Sequence, residues 1–426
     1  MTQARAFLER LFYKAVAAAH PAACLAPLLP PPQSGRLIIL AAGKAAGSMT
    51  EVAEGHYLDS FPRERLDGIA VTRHGYSRPT QKIEMVEAGH PVPDATGLAA
   101  AERTLALADQ AGADDLVLVL ISGGASANWI APAQGLTLGE KQAVTRALLR
   151  SGASIGEINT LRKHLSRIKG GRLARRAYPA RVVTLAISDV PGDDKAVIGS
   201  GPTVPDPSTL AEALAIVARY RLDLPGAVHR ALSDPANETP KPGDPIFANT
   251  TFTLAARPAD AFRATEAEIR AAGYDCVFLG ERLEGEARAV AAEHARLARE
   301  LSVQGRRAVI LSGGELTVTL AGKGRGGPNQ EYALGLCVAL DGLAGIAALA
   351  ADTDGTDGGG GAADDPAGAF VDATTLSRAR LKGLDPGVFL SDNNSTQFFA
   401  LLGDLLMSGP TFTNVNDFRA IVVDRP

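Results

Sequence analysis

An α/β fold built on buried parallel strands is what the sequence predicts, on three observations. Short runs of branched aliphatic residues recur along the 426 residues, each closing on Gly, Ser or Asp. Helical periodicities separate most of these runs, as expected when strands are covered on both faces. Composition agrees: 46% hydrophobic and 21% charged residues argue against disorder and coiled coil, and 45 glycines with 26 prolines imply many tight turns between short elements.

Taken in order, the chain opens on Phe7, Leu8, Leu11, Phe12, Ala15 and Val16, which share one helical face, with Arg5, Arg10 and Lys14 on the wet side. That amphipathic spacing, with Glu9 inside it, reads against a secretory signal. No run reaches the ~18 apolar residues of a membrane span. Strands are predicted at 36–44 (RLIILAAGK), 68–73, 114–124 (DDLVLVLISGG), 181–189, 251–257, 275–280, 306–315 (RRAVILSGGE) and 345–353. Helices are predicted at 95–111, 137–150, 157–168, 259–272, 284–302 and 329–340. Apolar periodicity lapses over 233–250, where Pro, Asn, Asp and Gly crowd together. The division expected there leaves a larger Rossmann-like domain over 1–240, with helices flanking a doubly wound parallel sheet, and a smaller α/β domain over 241–426.

Several classes of function are disfavoured. A net charge of −4 gives no general pull toward nucleic acid or an anionic membrane, so any anion site must be local. Cys24, Cys276 and Cys337 form no CxxC pair, which disfavours structural zinc and a disulfide framework and makes a reducing cytoplasm the expected compartment. The seven histidines include no HxH or HExxH. The acidic stretch DTDGTDGGGGAADD (352–365) fails as an EF-hand in both registers. From Asp352, position 12 is Ala363; from Asp354, positions 3 and 5 are Thr356 and Gly358.

In open parallel sheets ligands sit beyond the carboxyl ends of strands. Here those ends are Gly43-Lys44, Ser122-Gly123-Gly124, Ser188-Asp189, Ser312-Gly313-Gly314-Glu315 and Asp352-Thr353-Asp354. Such a rim suits a polyanion with its metal: glycines admit backbone N–H groups to phosphate oxygens, cations neutralise them, and carboxylates hold Mg²⁺. Lys44 stands between a strand and a helix start, though AAGKAAGSM is not a Walker A sequence. Gly322, Gly324 and Gly327 spell GxGxxG, yet Lys323 and Arg325 lie inside the loop, and no acid follows at the ~20-residue offset a dinucleotide ribose requires. A solvent-exposed glycine-rich loop is the plain alternative. Asp189, Asp193 and Asp194 are either turn formers or candidates for Mg²⁺ and for a substrate proton. Arg162, Lys163, His164, Arg167, Lys169 and Arg172 form a basic helix face, either solvated or anion-binding. Asp352 and Asp354 are expected at the ligand edge, with Asp364 and Asp365 in solvent.

Together AAGKAAGSM, GHPVPD (89–94), LISGGASA (120–127), RKHLSRIKGGRLA (162–174), SDVPGDD (188–194), GSGPTVPD (199–206), LSGGELTV (311–318), GRGGPNQE (324–331), ADTDGTDG (351–358) and SGPTFTNVND (408–417) strongly resemble the glycerate 2-kinases with a C-terminal MOFRL domain. Ser408 and Phe412 depart from the usual form of the last motif. The resemblance implies ATP-dependent phosphorylation of D-glycerate at its 2-hydroxyl, with ATP and Mg²⁺ as cofactors and an active site in the cleft between the domains. It implies no nucleic-acid or membrane partner, and leaves the assembly open between monomer and homodimer. Relatives have also been labelled hydroxypyruvate reductases, from tartrate and glyoxylate pathways; a reductase and a catalytically idle sugar-acid binder are the rival readings. Lys44 and Arg325 match positions proposed as catalytic in the family, and both are assigned to the phosphoryl group and substrate. Asp189 is the candidate proton acceptor or metal ligand, and Asp193, Asp352 and Asp354 are further metal candidates. Arg162 and Lys169 are candidates for substrate. Gly43, Ser122, Gly123, Gly124, Ala125, Ser126, Ser312, Gly313, Gly314, Glu315, Asn329 and Gln330 are candidates for nucleotide and phosphate.

Overall fold

The computed structural model describes residues 2–359 and 362–424. The chain forms two compact units, one of residues 24–255 and one that joins 1–23 to 256–426. The expected division at 240/241 differs from this partition, chiefly because the N-terminal helix Thr2–Ala19 packs with the C-terminal residues.

In the first unit a six-stranded sheet runs β3-β2-β1-β4-β5-β6, comprising β1 Leu37–Ala42, β2 Leu66–Arg73, β3 Glu84–Ala88, β4 Leu116–Ile121, β5 Arg181–Ile187 and β6 Thr250–Ala256. β1 to β5 pair in parallel, with Ala42 opposite both Val71 and Ile121. Every residue of β1 (LIILAA) and β4 (LVLVLI) is buried, as unbroken aliphatic runs require when helices cover both faces. β3 (EMVEA) is an edge strand, exposed at Glu84, and too polar to stand out by pattern. Strand order reverses at β1, which makes the gap between β1 and β4 the topological switch point.

The second unit holds β7 Asp275–Phe278, β8 Leu283–Glu286, β9 Ala308–Ser312, β10 Gly314–Thr317, β11 Ile346–Asp352, β12 Gly368–Asp372, β13 Leu405–Leu406 and β14 Asp417–Val423. Its main sheet runs β13-β12-β11-β14-β9-β7 and is mixed, not parallel throughout. β14 lies between β9 and β11 and is antiparallel to both, with all seven residues buried. β10 pairs separately with β8. Because β14 starts where β9 and β11 end, Asp417 stands opposite Asp352, and Arg419 opposite Ser312, at one edge.

The helix Thr2–Ala19 covers this sheet with the stripe predicted for it. Leu8, Leu11, Phe12 and Ala15 are fully buried, the Phe12 ring packs edge-on to Phe418 at 6.1 Å, and Thr413 Oγ1 donates to Ala19 O at 2.7 Å. Among the described residues no helix is long and apolar enough to cross a membrane.

Emptying the Phe12 site removes a ring from a packed interior, at a cost of about 3–5 kcal/mol. Phe12→Ala should therefore speed amide hydrogen exchange in β14 while leaving β4 amides unchanged; equal loss of protection in both strands would contradict the partition into units.

Candidate active site

At the switch point, Lys44 follows β1 and its amide donates to Gly123 O at 2.8 Å. Ser122 Oγ accepts from Ala45 N–H at 2.8 Å, so the serine ending β4 braces the turn that carries the lysine. Gly43 has φ 119°, and a Cβ there would stand 2.4 Å from Ser122 Oγ. Only glycine lets the two loops close to this separation. A Cβ on Gly124 would stand 3.1 Å from the His90 ring and 3.2 Å from Lys44 Cγ. His90 thereby joins the group; it lies in GHPVPD, a motif visible in the sequence whose histidine was not singled out. The amides of Gly123 and Gly124 find no acceptor among the described residues, and so remain able to donate to an anion.

The segment Ala125–Asn128 extends this row. Ser126 Oγ hydrogen-bonds Ser200 Oγ at 2.8 Å, and Ser126 O accepts from Lys169 Nζ at 2.8 Å. Lys169 is 1% exposed, and burial together with Arg162 and Lys141 holds its ammonium well below the usual range. Arg162, on the helix Ile155–His164, is half-buried and lowered by the same cause. The other members of the predicted basic face divide differently. Lys163 pairs with Asp206 at 3.3 Å, His164 with Glu238 at 3.0 Å, and Arg167 with Glu102.

Asp189 and Asp193 follow β5, the neighbour of β4. Asp193 occupies a turn at φ 58°, and its Oδ1 is buried with no hydrogen-bond partner among the described residues. An orphaned carboxylate oxygen suits Mg²⁺ carried on phosphates, which needs one or two protein carboxylates and not a full cage. Among the described residues no group of three or more His, Cys, Asp or Glu is arranged for a metal.

In the other unit, the GxGxxG stretch is organised by its own packing. Asp357, 3% exposed, accepts from the amides of Asn329 (3.0 Å) and Gln330 (2.8 Å) and from both their side-chain amides. Its carboxyl therefore closes the N-terminus of the helix Pro328–Leu340. Burial pushes that carboxyl up to about 7, with the amide donors acting in the opposite sense. Asn329 Nδ2 also donates to Asp417 at 2.6 Å, and Asp417 pairs with Arg419 at 2.7 Å. Arg419 in turn reaches Ser312 Oγ at 3.4 Å and Gly313 O. Asn329, Gln330 and Ser312 thus belong to one buried network, a use that the phosphate-binding expectation did not foresee. Gly313 N–H is taken by Gly280 O at 2.9 Å; Gly314 is in the β8–β10 ladder, and Glu315 there is exposed.

The glycines of the loop face inward. A Cβ on Gly322 would meet Asp392 backbone at 2.3 Å, on Gly324 the Asn394 side chain at 2.3 Å, and on Gly327 Asp357 at 2.4 Å. Lys323 and Arg325 alternate with them and are exposed. Arg325 donates to Asp365 Oδ1 at 2.9 Å while its side chain stays 69% exposed. The expectation of a solvent Asp365 is corrected: it is 3% exposed and also accepts from Ala362 N–H at 2.8 Å, whereas Asp364 is exposed. Asp354 is buried and accepts from Thr356 N and Oγ1, and Asp352 accepts from Asp354 N at 2.9 Å. These two carboxylates serve the loop's own donors.

A family model described as a domain of unknown function, DUF4147, matches residues 7–233, and the MOFRL family model matches residues 308–417. A protein of Agrobacterium vitis, provisionally named a hydroxypyruvate reductase, is 48% identical over 99% of this chain and 94% of its own. The D-glycerate 2-kinase of Thermotoga maritima is 39% identical over 95% of this chain and 94% of its own. A crystal structure described as glycerate kinase from Thermotoga maritima superposes with a TM-score of 0.86 at 36% identity, covering 99% of this chain and 100% of that one.

Asp357→Ala leaves the helix-end amides of Asn329 and Gln330 buried without an acceptor, while Asn329 Nδ2 keeps Asp417 and Gln330 Nε2 keeps the carbonyl of residue 357. Stability should fall by about 3 kcal/mol or more, since each buried orphan costs roughly 1–3 kcal/mol. Urea unfolding measures it, and a loss under about 1 kcal/mol would mean the cap is not needed.

Proposed function

The chain belongs to the glycerate 2-kinase family that joins a DUF4147 region to a MOFRL region, and on that premise we propose that it phosphorylates D-glycerate at the 2-hydroxyl with ATP, giving 2-phosphoglycerate and ADP. One observation carries the choice of kinase over reductase: the loop 322–327 turns its glycines into protein and its two cations outward. The helix behind it is already closed by Asp357, so a dinucleotide pyrophosphate has no helix end to occupy there. The turn after β1, where a dinucleotide fingerprint would also lie, reads Gly43-Lys44-Ala45-Ala46-Gly47 and lacks it.

Phosphoryl transfer asks for alignment and for positive charge on the moving group. Lys44 and Arg325 are assigned to supply that charge, and the free amides of Gly123 and Gly124 are suited to phosphate oxygens. Asp189 is assigned to accept the proton of the 2-hydroxyl, with Asp193 as the alternate. Mg²⁺ bound with ATP would shield the phosphates, and whichever of Asp189 and Asp193 does not take the proton is the residue that would hold it. Arg162 and Lys169 are assigned to the anionic end of glycerate.

Purified protein given D-glycerate, ATP and Mg²⁺ should release ADP and a product that phosphorus NMR identifies as 2-phosphoglycerate; NADH oxidation with hydroxypyruvate and no phosphoglycerate would reverse the assignment. Arg325→Ala should lower turnover by a factor on the order of a thousand while the fold persists, as for other arginines acting on a transferring phosphoryl group. Near-normal turnover in that variant removes Arg325 from the chemistry.

A further inference from the structure

The unit of residues 24–255 buries a third basic side chain, Lys141, beside the two, Arg162 and Lys169, assigned to the anionic end of glycerate. Lys141, on the helix Leu138–Ser151, is 4% exposed, Lys169 is 1% exposed, and Arg162 is half-buried. Lys141 Nζ donates to Arg162 O at 3.0 Å and Leu165 O at 2.6 Å, the final carbonyls of the helix that carries Arg162. Lys169 Nζ reaches Ser126 O, and the Arg162 guanidinium has no hydrogen-bond partner among the described residues. None of the three lies within 4 Å of a described carboxylate. The acids of the region are committed elsewhere: Asp206 to Lys163 and Thr239, Glu238 to His164, Lys241 and the Leu210 amide.

Folded proteins bury charges in neutralised sets, because an isolated ion in a poorly solvating interior is strongly disfavoured. Three basic groups gathered with no acid among them can all carry their charge only when an anion joins them. Ser126, which Lys169 touches, lies two residues from Gly124, whose Cβ position borders Lys44. Resting on the kinase reading, we propose that Lys141, Arg162 and Lys169 form the seat for the substrate's carboxylate. Lys141 positions Arg162 through the helix-end carbonyls and contributes the third charge. The seat selects small hydroxy acids over neutral polyols, and leaves the nucleotide phosphates to the Lys44 side.

Charge linkage gives a readout beyond activity. The groups bearing on the two lysines are Arg162 and Arg172 around Lys141, and Arg162 and Lys141 around Lys169; Asp206 and Glu238 act on Arg172. Burial holds both ammonium groups low in the free protein, and an arriving carboxylate raises them, so binding is linked to proton uptake over the pH range in which they titrate.

Calorimetric titration of the full chain with D-glycerate, without nucleotide, at a series of pH values from neutral upward and in two buffers of different ionisation enthalpy at each, should show net proton uptake within that series. Lys141→Met and Arg162→Met should each weaken glycerate binding at least tenfold and leave ATP binding within twofold, with Lys141→Arg restoring most of the affinity. Glycerol should not compete. If the wild-type chain binds glycerate without proton uptake, or if the variants weaken ATP and spare glycerate, the seat is wrongly assigned. Should Lys141→Met fail to fold, Arg162→Met and the wild-type proton count still decide. Glycerate binding with proton uptake but no phosphoglycerate formed would end the kinase reading and leave the seat standing.

Discussion

The carboxylate of Asp357 decides what the glycine-rich loop is able to do. By accepting four hydrogen bonds at the start of the helix Pro328–Leu340, it fills the place that a helix end otherwise offers to a ligand anion. Gly327 must then lack a side chain to let Asp357 in, while Gly322 and Gly324 must lack one to pass residues 392–394. What remains for solvent are the alternate positions, Lys323 and Arg325. A pattern that spells a pyrophosphate cradle is thus converted by one buried acid into a rigid mount for cations. The network continues through Asn329 and Asp417 to Arg419 beside Ser312, which ties the mount to the centre of its sheet.

In the unit of residues 24–255 the governing constraint is the closeness of the two turns at the switch point. Gly43 and Ser122 approach so tightly that the lysine turn is braced by the neighbouring strand end. Lys44 is therefore carried on a turn braced by a strand end, as the role proposed for it in stabilising a developing charge would need. Asp365 does comparable work for Arg325: a buried carboxylate fixes one guanidinium nitrogen and leaves the rest of a five-donor group exposed.

Much of this was readable in the sequence, and the omissions have physical reasons. Unbroken aliphatic runs identified β1, β4, β9 and β11, because strands buried on both faces need no polar alternation. β14 is equally buried but was not recognised, and it makes the second sheet mixed, since nothing local to DFRAIVV declares that it will insert between two earlier strands. The strand-end rule put Lys44 just past β1 and Ser122 through Ser126 just past β4, where they stand. It could not separate Asp357 from the other aspartates of its stretch, nor place Asp365 indoors, because burial of an acid depends on donors distant in sequence: Asn329 and Gln330 for one, Arg325 for the other. Lys141 was invisible for a related reason. On its own helix it sits among polar residues, and its significance arises from Arg162 and Lys169, which the fold brings to it.

Two names attach to relatives of this chain, and the solved structure that matches it along nearly its whole length carries the kinase one. The chemistry agrees. Hydride transfer to a 2-oxo acid needs a nicotinamide held against the carbonyl, and hence a seat for a dinucleotide at a glycine turn opening a free helix end. The turn after β1 carries Ala45 and Ser48 where a GxGxxG from Gly43 needs glycines, and the only GxGxxG in the chain opens a helix whose end is occupied. Phosphoryl transfer needs fixed cations and free amides. A chain of net charge −4 nonetheless gathers positive charge at a switch point, in a buried basic group and on a glycine-mounted loop, which is the local concentration that the proposed polyanion and hydroxy-acid substrates call for.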